Sequence, residues 1–329
     1  ATGTGTAGVG RSRPAGPRAS PPSSVPRASR GAGGEWRPEW TGLAAMVLAT
    51  LLWGATFVVI RDSLRAIPPL ELVFGRFALA GAVLAAVAAP RWRRLTRGAL
   101  AGGALAGLCF AGGFLAQAVG LTSTSAGSSA FLTCAGTLFA AFYAWPLLGQ
   151  RPSAVLLQGL LAALAGSALL TVGGAGPAGG RPGAGELWTL AGAAMFGLQI
   201  VVLARFAPAA DGLVLGAVQA VTVAVVLLPF SGGTGAVLAA LGTDDWWRFA
   251  YLVAAGSVVA PLLQILAQRT LPAGRVALLF ALEPVFALFF ALSLGREGFG
   301  APWWLGAALI LAGVVRVEWV AATRAGPAA

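Results

Sequence analysis

The chain has 329 residues, 57% of them hydrophobic and only 10% charged, with a mean hydropathy of +0.82. A soluble domain carries about 25% charged residues, so this chain has too little polar surface to cover a water-soluble globule of its size. The net charge of +11 comes from 22 arginines without lysine or histidine; they cluster beside apolar runs rather than on a basic recognition helix, which argues against a nucleic-acid partner.

Residues 1–41 are rich in Gly, Ala, Pro, Ser and Arg and show no apolar period. Such a segment buries too little surface to offset chain entropy, so it reads as a disordered tail. Apolar runs then predict ten helices, at about 43–60, 70–89, 99–119, 126–147, 154–172, 187–205, 212–229, 248–268, 275–294 and 302–321. Runs of roughly 17–22 residues cross about 30 Å of hydrocarbon as helices, whereas a membrane β-barrel would show alternating segments of about ten. Turn formers fill the connections, as in Ile67-Pro68-Pro69 and Pro90–Arg94. A Gly/Pro-rich linker, 173–186, divides a first five-helix unit (42–172) from a second (187–321), and a short tail follows over 322–329.

The two units repeat each other. At an offset of 147 residues, Ala126, Gly127, Ala130, Leu132, Phe139, Ala140, Phe142 and Leu147 recur as Ala273, Gly274, Ala277, Leu279, Phe286, Ala287, Phe289 and Leu294. Internal repeats in an apolar chain mark secondary transporters. Arginine placement sets the orientation. With the amino terminus in the cytoplasm, sixteen arginines fall on inner segments and five (Arg61, Arg65, Arg181, Arg248, Arg296) on outer ones, Arg76 completing the 22 inside the second span. Both termini are then cytoplasmic. Because each half holds an odd number of helices, the halves face opposite ways. The expected fold is an all-α membrane protein of ten transmembrane helices in two inverted five-helix repeats.

Inverted halves bring matched positions together near the midplane. Gln117 and Gln264 stand 147 apart; at an offset of 143, Trp53-Gly54 matches Phe196-Gly197 and Arg76 matches Gln219; at 147, Gly136-Thr137 matches Glu283-Pro284. A charge at the bilayer centre costs roughly 2.5–3.5 kcal/mol, so Arg76 and Glu283, the deepest charges, are expected to face a central cavity and to lie close enough to influence each other. A salt bridge that only locks the halves, a role in ion coupling, and a snorkelling Arg76 are all compatible with this. Pro284 removes one helix hydrogen bond, so Glu283 is expected beside a kink. Glu71, near the outer end of the second span, reads as interfacial; with no histidine, a proton relay would use Glu283 or Glu71.

Trp53, Thr56, Arg76, Gln117, Gln199, Gln219, Gln264 and Glu283 are the candidate substrate-binding residues, with Trp53 either a cavity wall or a packing residue. Thr122, Ser125, Ser128 and Tyr143 add uncharged polar groups. Trp36, Trp40, Trp92, Trp188, Trp246, Trp247, Trp303 and Trp304 fit an interfacial aromatic belt. Cys109 and Cys134 read as small packing residues. The glycines of Gly98–Gly113 point to close helix contact. Phosphate-loop and dinucleotide fingerprints need a strand–turn–helix setting that is absent from the sequence, and no metal or cofactor is expected.

The stretch WGATFVVIRDSLRAIPPLELVFGRFALAG (53–81) resembles the start of an EamA-type repeat of the drug/metabolite transporter superfamily. GLTSTSAGSSAFLTCAGTLFAAFYAWPLLGQRPS (120–153) resembles that repeat's fourth helix and its closing "LLGE-R" signature, with Gln150 in place of the acid. LPAGRVALLFALEPVFALFFALSLGREGFG (271–300) resembles the second copy, with Glu283-Pro284 as its "EP" and Gly295-Arg296-Glu297 a shifted "GE". The resemblance covers about 43–321. It implies ten helices in two EamA domains and export of small metabolites, amino acids or drugs by alternating access. Trp53, Arg76 and Glu283 match family positions, and Gln150 departs from them. The expected function is secondary transport in the inner or plasma membrane, with a small-molecule substrate, membrane lipids and protons as partners and the oligomeric state, a homodimer included, left open. The rival readings are a membrane-embedded enzyme, which would need clustered acids, histidines or a nucleophile–base pair, and a non-transporting sensor or scaffold.

Overall fold

The structure is a computed structural model and describes residues 1–5, 38–124, 126–173, 183–242, 245–293 and 301–324. Most of the expected tail, most of the 173–186 linker, Trp36, Arg181, Ser125 and the Gly295-Arg296-Glu297 stretch lie outside the described residues.

The described residues form ten helical spans in chain order. They are α1 (Pro38–Ser63), α2 (Pro69–Val87), α3 (Arg97–Leu121), α4 (Ala126–Cys134 and Gly136–Leu148), α5 (Ala154–Gly173) and α6 (Ala184–Phe206) in the first part of the chain. After these come α7 (Gly212–Leu227), α8 (Trp246–Gln268), α9 (Ala273–Phe280 and Glu283–Ser293) and α10 (Ala301–Arg324). Among the described residues nine are long and apolar enough to cross a membrane, and α5 contributes a shorter apolar stretch, Ala154–Leu169. No strand occurs among the described residues. A short helix, Gly233–Ala240, between α7 and α8 was not legible as an apolar run.

The ends follow local chemistry. Pro69 occupies the first turn of α2, where its missing N–H has no helical partner to lose. The Thr96 hydroxyl accepts the Ala99 N–H at 3.0 Å and caps α3. Asp211 caps α7, its Oδ1 accepting from Leu213 N at 3.1 Å and Val214 N at 3.3 Å.

The halves are related by inversion. α5 and α10, equivalent elements of the two repeats, run antiparallel: Gly159 lies against Gly313 and Val317, and Gly166 against Gly306 and Ile310. A Cβ at Gly166 would fall 2.5 Å from the Gly306 carbonyl oxygen, so backbone meets backbone there. α3 likewise packs antiparallel on α6, with Gly120 beside Gly185 and Gly102 beside Phe206. The counterpart contact, α8 on α1, sets Gly42 beside Thr270 and Gly256 beside Thr56.

The main apolar core is built around Trp53, Phe57, Phe77, Phe110 and Phe114, and a smaller one gathers Ala99, Ala106, Leu203, Leu215 and Ile265. Large apolar side chains also cover the outside, among them Leu48, Leu79, Leu161, Val225 and Leu305. In water such a surface would aggregate, whereas against acyl chains it is matched. Exposed Trp40, Trp188, Trp246, Trp247 and Trp304 lie near span ends, as an interfacial belt requires.

Candidate functional site

α4 and α9 each break once, at Ala135 and at Ala281–Leu282. These breaks are 147 residues apart in sequence, the repeat offset. At each break the chain falls into a tighter i→i−3 pattern, with Ala135 N donating to Leu132 O and Ala281 N to Leu278 O. A matched glycine lets a neighbouring helix close on each break. A Cβ at Gly54 of α1 would lie 2.6 Å from Phe286 Cβ and 3.1 Å from the Glu283 carbonyl oxygen; one at Gly197 of α6 would lie 2.8 Å from both Phe139 Cβ and the Gly136 carbonyl oxygen.

Beside the breaks is a cavity of about 40 Å³, room for a few water molecules. α1 supplies Trp53 and Thr56; α3 supplies Phe110, Phe114 and Gln117; α4 supplies Thr133, Cys134, Gly136 and Thr137; α6 supplies Phe196, Gln199 and Ile200; α9 supplies Phe280 and Glu283. Both halves therefore build one chamber, aromatic on several sides. A drug-sized ligand needs roughly 300–1,000 Å³, so this conformation is closed down around the site.

The polar groups are held in two sets. Gln117 Nε2 donates to Thr133 Oγ1 at 3.1 Å. Gln199 and Gln264 exchange amide hydrogen bonds at 2.8 and 3.2 Å, and Gln199 reaches Gln219 Oε1 at 3.4 Å. The repeat-matched Gln117 and Gln264 thus serve different partners. Gln199 lines the chamber while Gln219 and Gln264 stand behind it. Thr56 donates to the Trp53 carbonyl at 2.7 Å, tying its hydroxyl to its own helix.

Trp53 is both wall and packing residue. Its ring stacks on Phe280 with centroids 5.2 Å apart and planes 17° from parallel. Its Nε1–H donates to the Gly256 carbonyl at 3.0 Å. Gly256 lies in the middle of α8, where Leu252–Val259 winds as a π-helix. π-Segments inside α-helices concentrate at functional sites.

Glu283 lies on the chamber wall, partly exposed to it. Among the described residues its carboxylate makes no hydrogen bond or ion pair. Pro284 does not kink a continuous helix, as the sequence had led us to expect. It falls in the first turn of a new helical arm, where a missing N–H costs nothing.

Arg76 is 1% exposed. Its Nε donates to Ser257 Oγ at 2.7 Å, and the guanidinium lies 4.8 Å from the Phe114 ring and 5.4 Å from the Phe77 ring. No ion pair joins it to Glu283 among the described residues, and Arg76 does not line the chamber; the aromatic wall of Trp53 and Phe114 takes that place. Cation–π contacts contribute about 0.5–2 kcal/mol each, against an effective desolvation cost of several kcal/mol for a buried ion. Its neutral neighbours leave the charge under-compensated. Glu71 is half-buried in the first turn of α2 and does not reach the chamber.

Sequence reasoning missed Phe110, Phe114, Thr133, Cys134, Phe280 and Ile200 as lining residues. Phenylalanines and lone hydroxyls in apolar helices look like packing. The usable signal was the repeat: Gly136-Thr137 matches Glu283-Pro284, so the neighbours of one break were to be sought at the other.

The chain matches the EamA-like transporter family over residues 40–172 and again over 183–318. It belongs to the EamA-like transporter family. This EamA-like protein is accordingly a multi-pass membrane protein, and its two family matches coincide with the two inverted halves. No curated protein matches it. A solved crystal structure with 21% sequence identity matches 88% of this chain and 99% of its own, with a TM-score of 0.69; at that identity the likeness concerns the fold alone. Within the EamA-like fold the breaks in α4 and α9, the chamber between them and the π-segment of α8 are where the two halves meet.

Proposed function

We propose that this EamA-like protein is a secondary active transporter that exports a small molecule by alternating access, driven by proton entry at Glu283. The observation that carries this reading is the Glu283 carboxylate, which lies at a helix break, on a chamber built by both halves, without a hydrogen-bond or ion-pair partner in the described chain. A carboxylate in that position can exchange a proton with whatever fills the chamber, and the adjacent break lets the second arm of α9 move without rupturing a regular helix. Closely packed glycines on α1 and α6 supply smooth surfaces for rocking.

Arginine bias supports a cytoplasmic location for both termini and insertion in the inner or plasma membrane. Arg94 pairs with Asp211 at 3.1 Å, and Arg275 pairs with Glu318 and, at 3.5 Å, with Glu39. These contacts gather the ends of α1, α9 and α10 and the α2–α3 and α6–α7 connections, all assigned to the inner side.

The test is proton movement in vesicles reconstituted with the purified protein. With a pH gradient imposed, a library of small metabolites and drugs is screened for compounds that dissipate it. Compound-dependent proton flux is expected, and Glu283→Gln is expected to abolish it while the variant inserts normally. Undiminished coupling in Glu283→Gln removes this residue from the mechanism; absence of any flux across the library favours the non-transporting reading.

A further inference from the structure

We infer that Arg76 is the binding group for a carboxylate borne by the transported molecule. Of the guanidinium nitrogens only Nε has a hydrogen-bond partner among the described residues, the Ser257 hydroxyl. Nη2 is fully enclosed and makes none. A guanidinium presents five N–H donors in a rigid fork, and the unused edge here is the one that takes a carboxylate through two parallel bonds.

The surroundings are arranged to hold this edge rather than to neutralise it. A Cβ at Gly256 would fall 2.8 Å from Nη2 and 3.0 Å from Thr56 Cγ2, so only glycine leaves the guanidinium its room. Phe77 and Phe114, whose ring centroids are 5.2 Å apart, lie together to one side of the charge without hydrogen-bonding it. Trp53, Thr56 and Phe114 line the chamber and also touch or neighbour the Arg76 niche. The niche is therefore one side chain's thickness from the chamber. Glu283, across the chamber wall, is not its partner. A cation with an empty fork, buried beside a cargo chamber and short of a counter-charge, is completed by an anionic group that comes and goes.

A purely structural arginine, tying α2 to α8 through Ser257, would make the same Nε bond and bind nothing. Titration of the purified full-length protein separates the two, using sodium benzoate, the isosteric neutral benzamide, and sodium chloride, each followed by calorimetry and thermal unfolding. Benzoate is chosen because its ring suits an aromatic chamber and its only charge is the carboxylate. Saturable benzoate binding is expected with a Kd on the order of 1 mM or tighter, with benzamide and chloride at least about tenfold weaker. Arg76→Gln is expected to lose benzoate binding, Arg76→Lys to weaken it, and Ser257→Ala, which keeps the charge, to retain it.

Benzamide or chloride binding as well as benzoate overturns the inference, as does unchanged benzoate affinity in Arg76→Gln or the lack of any saturation by about 20 mM. If Arg76→Gln does not fold, the contrast of the three probes on the unaltered protein and the Arg76→Lys titration decide. The inference rests on the transport reading only in naming the ligand as cargo. Benzoate binding without vesicle flux keeps the anion site and removes transport; flux without benzoate binding does the reverse.

Discussion

The Trp53 indole donates to the Gly256 carbonyl across 203 residues of sequence, at 3.0 Å. The reason lies five residues further on. In the π-register of Leu252–Val259 a carbonyl accepts from the N–H five residues ahead, as Ala255 O does from Ala260 N. For Gly256 that residue is Pro261, which has no N–H to give. Trp53 supplies the missing donor, and α1 is thereby fastened to the irregular part of α8.

Removing that donor leaves a buried carbonyl unpaired, at a cost of about 1–3 kcal/mol. Trp53→Phe is expected to lower thermal stability accordingly. Pro261→Ala restores an N–H at the required place, so the same Trp53 substitution should cost less in the Pro261→Ala background. A double-mutant cycle by thermal unfolding measures the coupling, and strictly additive effects would show that Trp53 and Pro261 act independently.

Gly54 and Gly197 predict matched injuries. A methyl group at either meets the opposing break at 2.6–2.9 Å, with backbone atoms among the obstacles. Gly54→Ala and Gly197→Ala should each cost about 1–3 kcal/mol, as overpacked cores do, and both should slow any transport. Gly235→Ala, which has open space around it, is the control and should be silent in both assays.

Asp211 gives a pH dependence outside the membrane spans. Partial burial pushes its carboxyl upward, but the Val214 N–H, Arg94, the Leu213 N–H and the charge of Arg91 together outweigh that and hold it below the usual carboxylate value. A depressed carboxyl stabilises the fold fully above its unfolded value of about 3.9 and loses that contribution as pH falls through the folded value. Asp211→Ala should therefore cost about 1 kcal/mol at neutral pH, the usual worth of a helix cap. The gap between variant and parent melting temperatures should narrow below about pH 4; a gap that stays constant to pH 3 would mean that the charge contributes nothing.

The glutamine cluster offers a milder case. Interhelical polar contacts in membranes are worth about 0.6 kcal/mol on average, so Gln264→Leu should barely change stability. It also releases the Gln199 amide, which lines the chamber. A change in substrate preference without a change in melting temperature is the expected signature, read in the vesicle assay.

How much of this was legible in the sequence differs by kind of information. Spans, repeat and inversion follow from hydropathy, arginine placement and an odd helix count, because a bilayer leaves few other solutions for an apolar chain. Helix ends moved by a few residues: α1 begins at Pro38 rather than near 43, and α10 runs on to Arg324. The repeat pointed to Trp53, Gln117 and Glu283, which share one chamber, but the matches of Gln117 and Arg76, Gln264 and Gln219, stand behind it. It could not place Arg76 relative to Glu283, because both are deep in their spans and depth says nothing about which way round the helix a side chain points. Nor did it reveal the π-segment. Pro261 was visible, but its effect depends on a register that only packing selects. Pro284 misled for a related reason, since a proline reads as a kink or as a helix start according to where the preceding arm ends.

The antiparallel seam between α5 and α10 has a consequence for how the chain is made. Its glycines, Gly159 and Gly166, need backbone from Gly306 and Gly313 against them, and acyl chains cannot approach so closely. Translation at about 5–20 residues per second delivers that partner on the order of ten seconds after α5 has entered the bilayer. For that interval the nascent protein carries an open groove along its fifth helix, the surface that an insertase or a membrane protease would meet first, and α10 is the helix that closes it.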